Sequence, residues 1–157
     1  MKLLLYITCS ILLLSANACM ERYDDRYYIR DYFVEFEEAT TKSKAVGKDY
    51  VLSSGSITED GETLRIQVNL VGAPLESEQV IQVRVVEEET TAEQGKDYQL
   101  SSDASIRFAP GSNIAYLEIT PGTGGTGSSL LVLELTGNDL IQASENYKQL
   151  GIPCTYP

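Results

Sequence analysis

From Tyr32 onward the hydrophobic positions recur with a period of two, the pattern of strands that turn one face to a core and the other to water. Residues 64–70, Leu-Arg-Ile-Gln-Val-Asn-Leu, alternate without a fault. Ile81, Val83 and Val85 alternate with Gln82 and Arg84, Leu117 and Ile119 flank Glu118, and Leu131, Leu133 and Leu135 repeat the pattern around Val132 and Glu134. Tyr32, Val34 and Phe36 predict an opening strand, Ile106 and Phe108 a shorter one, and residues 147–152 a last strand ended by Pro153. Turn-forming residues fall between these runs: Glu59-Asp60-Gly61-Glu62, Gly72-Ala73-Pro74, Pro110-Gly111-Ser112-Asn113 and the glycine-rich stretch 121–129. About seven short strands with turns at intervals of roughly a dozen residues predict an all-β chain folded as an antiparallel β-sandwich. No segment reads as an amphipathic helix; residues 140–149 have some helical character and predict a turn at most.

The first residues follow a different pattern. Met1-Lys2 leads into an apolar run at 3–14 interrupted by Thr8, Cys9 and Ser10, and then Ser15-Ala16-Asn17-Ala18 supplies small residues before Cys19. The apolar core is too short to cross a hydrocarbon layer, which takes about 20 residues, so residues 1–18 read as a cleaved signal peptide. A Cys directly after the small-residue site resembles a bacterial lipobox, with Cys19 as the lipidated first residue of the mature chain. The competing reading is a secreted protein in which Cys19 pairs with Cys154. With lipidation, residues 19–31 become a tether rich in Tyr, Arg and Asp, and residues 32–157 the sandwich. Each buried methylene of a lipid chain contributes roughly 0.8 kcal/mol to membrane attachment, so two or three chains hold the protein there without a spanning helix. Met20 after the Cys, in place of the Asp that resembles inner-membrane retention, points to the outer membrane. Glu21, Asp24 and Asp25 loosely resemble the surface-export signals of Bacteroidota lipoproteins.

An internal echo precedes two of the turns. Gly47-Lys48-Asp49-Tyr50-Val51-Leu52-Ser53-Ser54 returns as Gly95-Lys96-Asp97-Tyr98-Gln99-Leu100-Ser101-Ser102. The expectation is two similar bends, in which Gly takes a positive φ, Asp bonds nearby amides and Tyr packs inward. The second copy, extended through Thr90-Thr91-Ala92, Ile106-Arg107-Phe108-Ala109-Pro110-Gly111 and Leu117-Glu118-Ile119, resembles the Calx-beta domain over roughly residues 80–137. That resemblance implies an immunoglobulin-like sandwich. In calcium-binding members the aspartate of the Gly-x-Asp-Tyr motif, here Asp97, is a ligand, and an acidic run after the next strand completes the site. The corresponding stretch here is Pro121-Gly122-Thr123-Gly124-Gly125, without a carboxylate, whereas Ca²⁺ takes six to eight oxygens. Asp97 is therefore expected to be structural, and no metal or cofactor is expected.

Composition narrows the chemistry further. The chain has no His and no Trp, so no triad or zinc site built on imidazole can form. The formal charge of -11 repels phosphate backbones and argues against nucleic acid as a partner. No Gly-x-Ser-x-Gly elbow occurs, and Cys154 has no basic neighbour in sequence to lower its pKa, so no catalytic residue is assigned and the chain is expected not to be an enzyme. The glycine-rich 122–127 stretch reads as a mobile hairpin loop and a contact surface. These features predict a noncatalytic lipoprotein, held to the outer membrane through Cys19 and facing the cell surface or the periplasm. Its sandwich is an adhesion or accessory module for an envelope protein, with a glycan-binding module and a calcium-responsive adhesin as the alternatives. The glycan reading predicts a clustered face of exposed tyrosines.

Overall fold

A computed structural model describes residues 31–59, 62–101 and 103–157; the signal segment, Cys19 and the aromatic tether before Asp31 lie outside the described residues. Two sheets face one another with the core between them, an immunoglobulin-like β-sandwich. All seven runs of alternating residues are strands: β1 (Tyr32–Phe36), β4 (Leu64–Val71), β5 (Gln79–Val85), β7 (Ser105–Phe108), β8 (Ile114–Pro121), β9 (Ser128–Thr136) and β11 (Gln149–Thr155). Four shorter strands complete the sheets: β2 (Val51–Leu52), β3 (Ile57–Thr58), β6 (Tyr98–Gln99) and β10 (Ile141–Ala143). One sheet runs β10-β1-β4-β8-β6 and the other β2-β11-β9-β5-β7, with β3 continuing the β2 edge alongside β11.

The alternation predicted from sequence is the alternation observed. Val34 and Phe36, Ile66, Val68 and Leu70, Ile81 and Val83, Leu117 and Ile119, and Leu131, Leu133 and Leu135 all point inward. Strand pairing is antiparallel along the long strands but parallel where β1 meets β10 and where β11 meets β2 and β3. The sheets are therefore mixed, a difference from the purely antiparallel expectation. Parallel pairing joins strands distant in sequence, which no local turn signal announces.

The last strand does not stop at Pro153 but runs on to Thr155. Proline lacks an amide hydrogen, so it is tolerated where no partner needs one. The carbonyl of Gly151 accepts the Ser53 amide at 2.8 Å, so Gly151 and, two residues on, Pro153 turn their backbone groups to the same edge. There β2 has ended at Leu52 and β3 does not begin until Ile57. Pro153 sits in that gap.

A short helix, α1 (Glu37–Thr41), follows β1 and was not anticipated. Its Glu38 carboxylate accepts the Ser53 hydroxyl at 2.8 Å and the Ser54 amide at 2.7 Å and also pairs with Lys42, tying α1 to the residues after β2. Burial alone would raise the Glu38 pKa, but these donors outweigh it and hold it below the ordinary value. Residues 140–149 hold the edge strand β10 and a turn.

Strand register also sorts the connections to two poles. Tyr32 opens β1 beside Ile141, and Phe33 lies opposite Val71 at the end of β4. This entry pole carries the connections 72–78, 109–113 and 137–140. At the far pole, Tyr98 lies opposite Pro121 and Ser128 opposite Thr155, gathering residues 86–97, 122–127 and the C-terminus.

Candidate functional site

The two Gly-Lys-Asp-Tyr turns share a backbone and diverge in what they do. Gly47 and Gly95 have φ of 72° and 85°, the left-handed bend that glycine adopts without strain. Each turn then leads into a two-residue edge strand, β2 in one sheet and β6 in the other. Tyr98 is buried in the main core, while Tyr50 packs outside the second sheet with Val86 and Val132. A β-carbon on Gly151 would meet the Tyr50 ring at 2.7 Å, so the glycine makes room for that ring.

The aspartates differ most. Asp97 is buried, and its Oδ2 accepts the Glu93 amide at 2.8 Å, closing the turn on itself. Asp49 is exposed and lies 3.8 Å from the Lys44 ammonium. The Asp97 carboxylate is thus used to bond backbone.

The 122–127 stretch, read from sequence as a mobile loop, is fastened to this second turn through residues 122–125. Thr123 and Gly124 donate their amides to the carbonyls of Gly95 and Lys96 at 3.3 and 3.2 Å. A β-carbon on Gly122 would fall 2.2 Å from the Lys96 carbonyl oxygen, so only glycine allows the approach. Tyr156 locks the pair: its hydroxyl donates to the Asp97 carbonyl and accepts the Gly122 amide at 3.3 Å, while its ring covers Gly125. Burial raises the Tyr156 pKa, keeping the phenol protonated.

Cys154 is fully buried in the core, and burial pushes its pKa up to about 11. A thiol in that position is protonated at neutral pH and a poor nucleophile. Among the described residues, no three His, Cys, Asp or Glu side chains group as metal ligands do.

The other copy of the turn borders a polar cleft. The first turn and the segment leading into β11 face each other across about 340 Å³, lined by Lys44, Asp49, Glu145, Asn146, Lys148 and Gln149. Behind the cleft lies Glu134, almost fully buried on the outer face of β9. Its carboxylate accepts Gln149 Nε2 at 2.6 Å and pairs with Lys148 at 3.4 Å and Arg84 at 3.1 Å. Burial works to raise the Glu134 pKa, but the hydrogen bonds from Gln149 and Arg84 and the charge of Lys148 outweigh it and hold it below the usual range. Glu134 stays charged and holds two of the cleft's side chains in place.

Among the described residues the exposed tyrosines do not share a face, while Tyr23, Tyr27 and Tyr28 lie outside them. Of the described tyrosines, Tyr50, Tyr98 and Tyr156 are buried and Tyr32 covers Gly72, while Tyr116 and Tyr147 are exposed. Tyr116 lies on β8 with the Arg65 guanidinium 4.3 Å from its ring centre, and Arg65 also pairs with Glu118 at 3.3 Å. Tyr147 bonds through its carbonyl to Phe36 on β1, two strands away from β8. Sequence reasoning missed the cleft. Of its lining residues only Asp49 stood in a motif, and nothing local places 44–49 beside 145–149.

No family model matches the chain, and no curated protein is significantly similar to it. Among solved structures it is similar to WR4, a C. elegans MSP family member, at 8% identity with a TM-score of 0.37, covering 66% of this chain and 91% of that one. A likeness so remote says nothing about function.

Proposed function

We propose that this chain is a noncatalytic envelope lipoprotein whose β-sandwich is a binding module, adhesive or accessory to an envelope partner. Cys19 carries the lipid, residues 19–31 are the tether, and the domain stands at the outer membrane with its far pole outward. The observation that carries this reading is the separation of the poles. The chain enters β1 at one end, while 86–97 and 122–127 lie at the other, where Tyr156 and the Gly95–Asp97 turn hold them together. A tether at the entry pole leaves that surface free for contact. Loops displayed on a rigid sandwich are common carriers of recognition.

Protease shaving of intact cells bearing a C-terminally tagged copy tests the presentation, with lysed cells as control. Removal of the tag from intact cells is expected; protection until lysis would overturn outward display and turn the search to periplasmic partners. Cys19→Ala tests the anchor: the protein should leave the membrane fraction and lose incorporation of a fatty-acid label. Retention of both would overturn lipidation at that residue.

A further inference from the structure

We propose that the polar cleft between residues 44–49 and 145–149 is a binding site for a neutral saccharide. All six lining side chains end in hydrogen-bonding groups, so an apolar ligand would gain nothing there. Lys44 and Lys148 are donors, Asp49 and Glu145 acceptors, and the amides of Asn146 and Gln149 are both. A sugar hydroxyl donates and accepts at once, and adjacent hydroxyls match such mixed pairs. The two ammonium groups and two carboxylates cancel, while the chain as a whole carries -11, which disfavours an acidic ligand. The cavity of about 340 Å³ is near the lower end for ligand pockets, a size suited to one or two sugar rings.

The wall is preorganised and retains bonding capacity. Glu134 pairs with the Lys148 ammonium by charge and accepts one donor of the Gln149 amide, leaving the N–H groups of Lys148 and the side-chain carbonyl of Gln149 for a ligand. Lys44 and Asp49, at 3.8 Å, are too far apart to satisfy each other with a hydrogen bond. Side chains already held by a buried carboxylate lose less freedom on binding, which favours affinity.

The inference rests on the binding-module reading but not on the anchor. Its test is lysine acylation of the full-length chain in detergent micelles, read by mass spectrometry. The probes are maltose, chitobiose, mannobiose and xylobiose at millimolar concentration, with digalacturonic acid as the acidic counterpart. At least one neutral probe should protect Lys44 and Lys148 while leaving Lys42 and Lys96 as reactive as before. Titration calorimetry with Asp49→Ala, an exposed change that should not disturb folding, should then show about a tenfold loss of affinity. No protection by any neutral probe, equal protection of Lys96, protection by the uronic acid alone, or unchanged affinity in Asp49→Ala would each overturn the site. Such a failure with the domain still shaved from intact cells would leave the module reading standing.

Discussion

Beside the backbone bonds from Thr123 and Gly124, Tyr156 ties the two far-pole loops together through a single hydroxyl, and removing that oxygen is a clean perturbation. In Tyr156→Phe the ring stays over Gly125, so apolar burial is retained. The Asp97 carbonyl loses a donor and the Gly122 amide loses an acceptor. Leaving a buried polar group unpaired costs about 1–3 kcal/mol, and the longer Gly122 contact contributes the smaller share, so a loss of about 2 kcal/mol is expected. With a urea slope of about 1–3 kcal/mol per molar, the midpoint should fall by roughly 1 M. Hydrogen exchange supplies the local readout: the Gly122 amide should lose protection, whereas amides in the centre of β4 should change only with global stability. Tyr156→Ala removes the ring as well and should cost about 3–5 kcal/mol. If Tyr156→Phe stays within about 0.5 kcal/mol of the parent, the range of a neutral surface change, and Gly122 exchange is unaltered, the hydroxyl is not what fastens the loops.

Glycine positions in the same loop should separate sharply. Gly122→Ala drives a β-carbon toward the Lys96 carbonyl oxygen and should destabilise by about 1–3 kcal/mol, whereas Gly124→Ala, whose nearest neighbour is a Lys96 side-chain carbon at 3.8 Å, should be nearly neutral by urea melt. Ala104 has φ of 42°, a conformation costly for any residue with a β-carbon; Ala104→Gly should raise the thermal midpoint, with a gain on the order of 1 kcal/mol, and a lower midpoint would contradict the strain. Cys154 has its folded pKa raised from 9.0 to about 11, so its contribution is intact below pH 9 and lost as pH rises through about 11. At roughly 1.4 kcal/mol per pKa unit this is on the order of 2–3 kcal/mol, and Cys154→Ala should flatten that alkaline fall in urea melts.

Strand placement was legible from sequence because a strand's burial pattern is local. Successive side chains point to opposite faces, so Leu64 to Leu70 declare a half-buried strand without reference to any partner. The positive φ of Gly47 and Gly95 and the burial of Tyr50 and Tyr98 were legible for the same reason. What those residues pack against was not. Asp49 and Asp97 occupy the same place in the repeat, yet one is exposed at a cleft and the other is buried on its own turn. The edge strands β2, β3, β6 and β10 have two or three residues each, too few to show a period. They exist because a long strand offers them unpaired backbone groups. Glu134 reads as an outward polar residue in an alternating strand; it is buried because Lys148, Gln149 and Arg84 converge on it from β5 and from the segment leading into β11. The sequence by itself thus determined the seven alternating strands, the turn glycines and the all-β class, since each depends on neighbours in the chain. Only the tertiary structure decided the parallel pairings, the fastening of 121–125 by Tyr156 and the cleft, because each depends on contacts between residues far apart in sequence that no local period encodes.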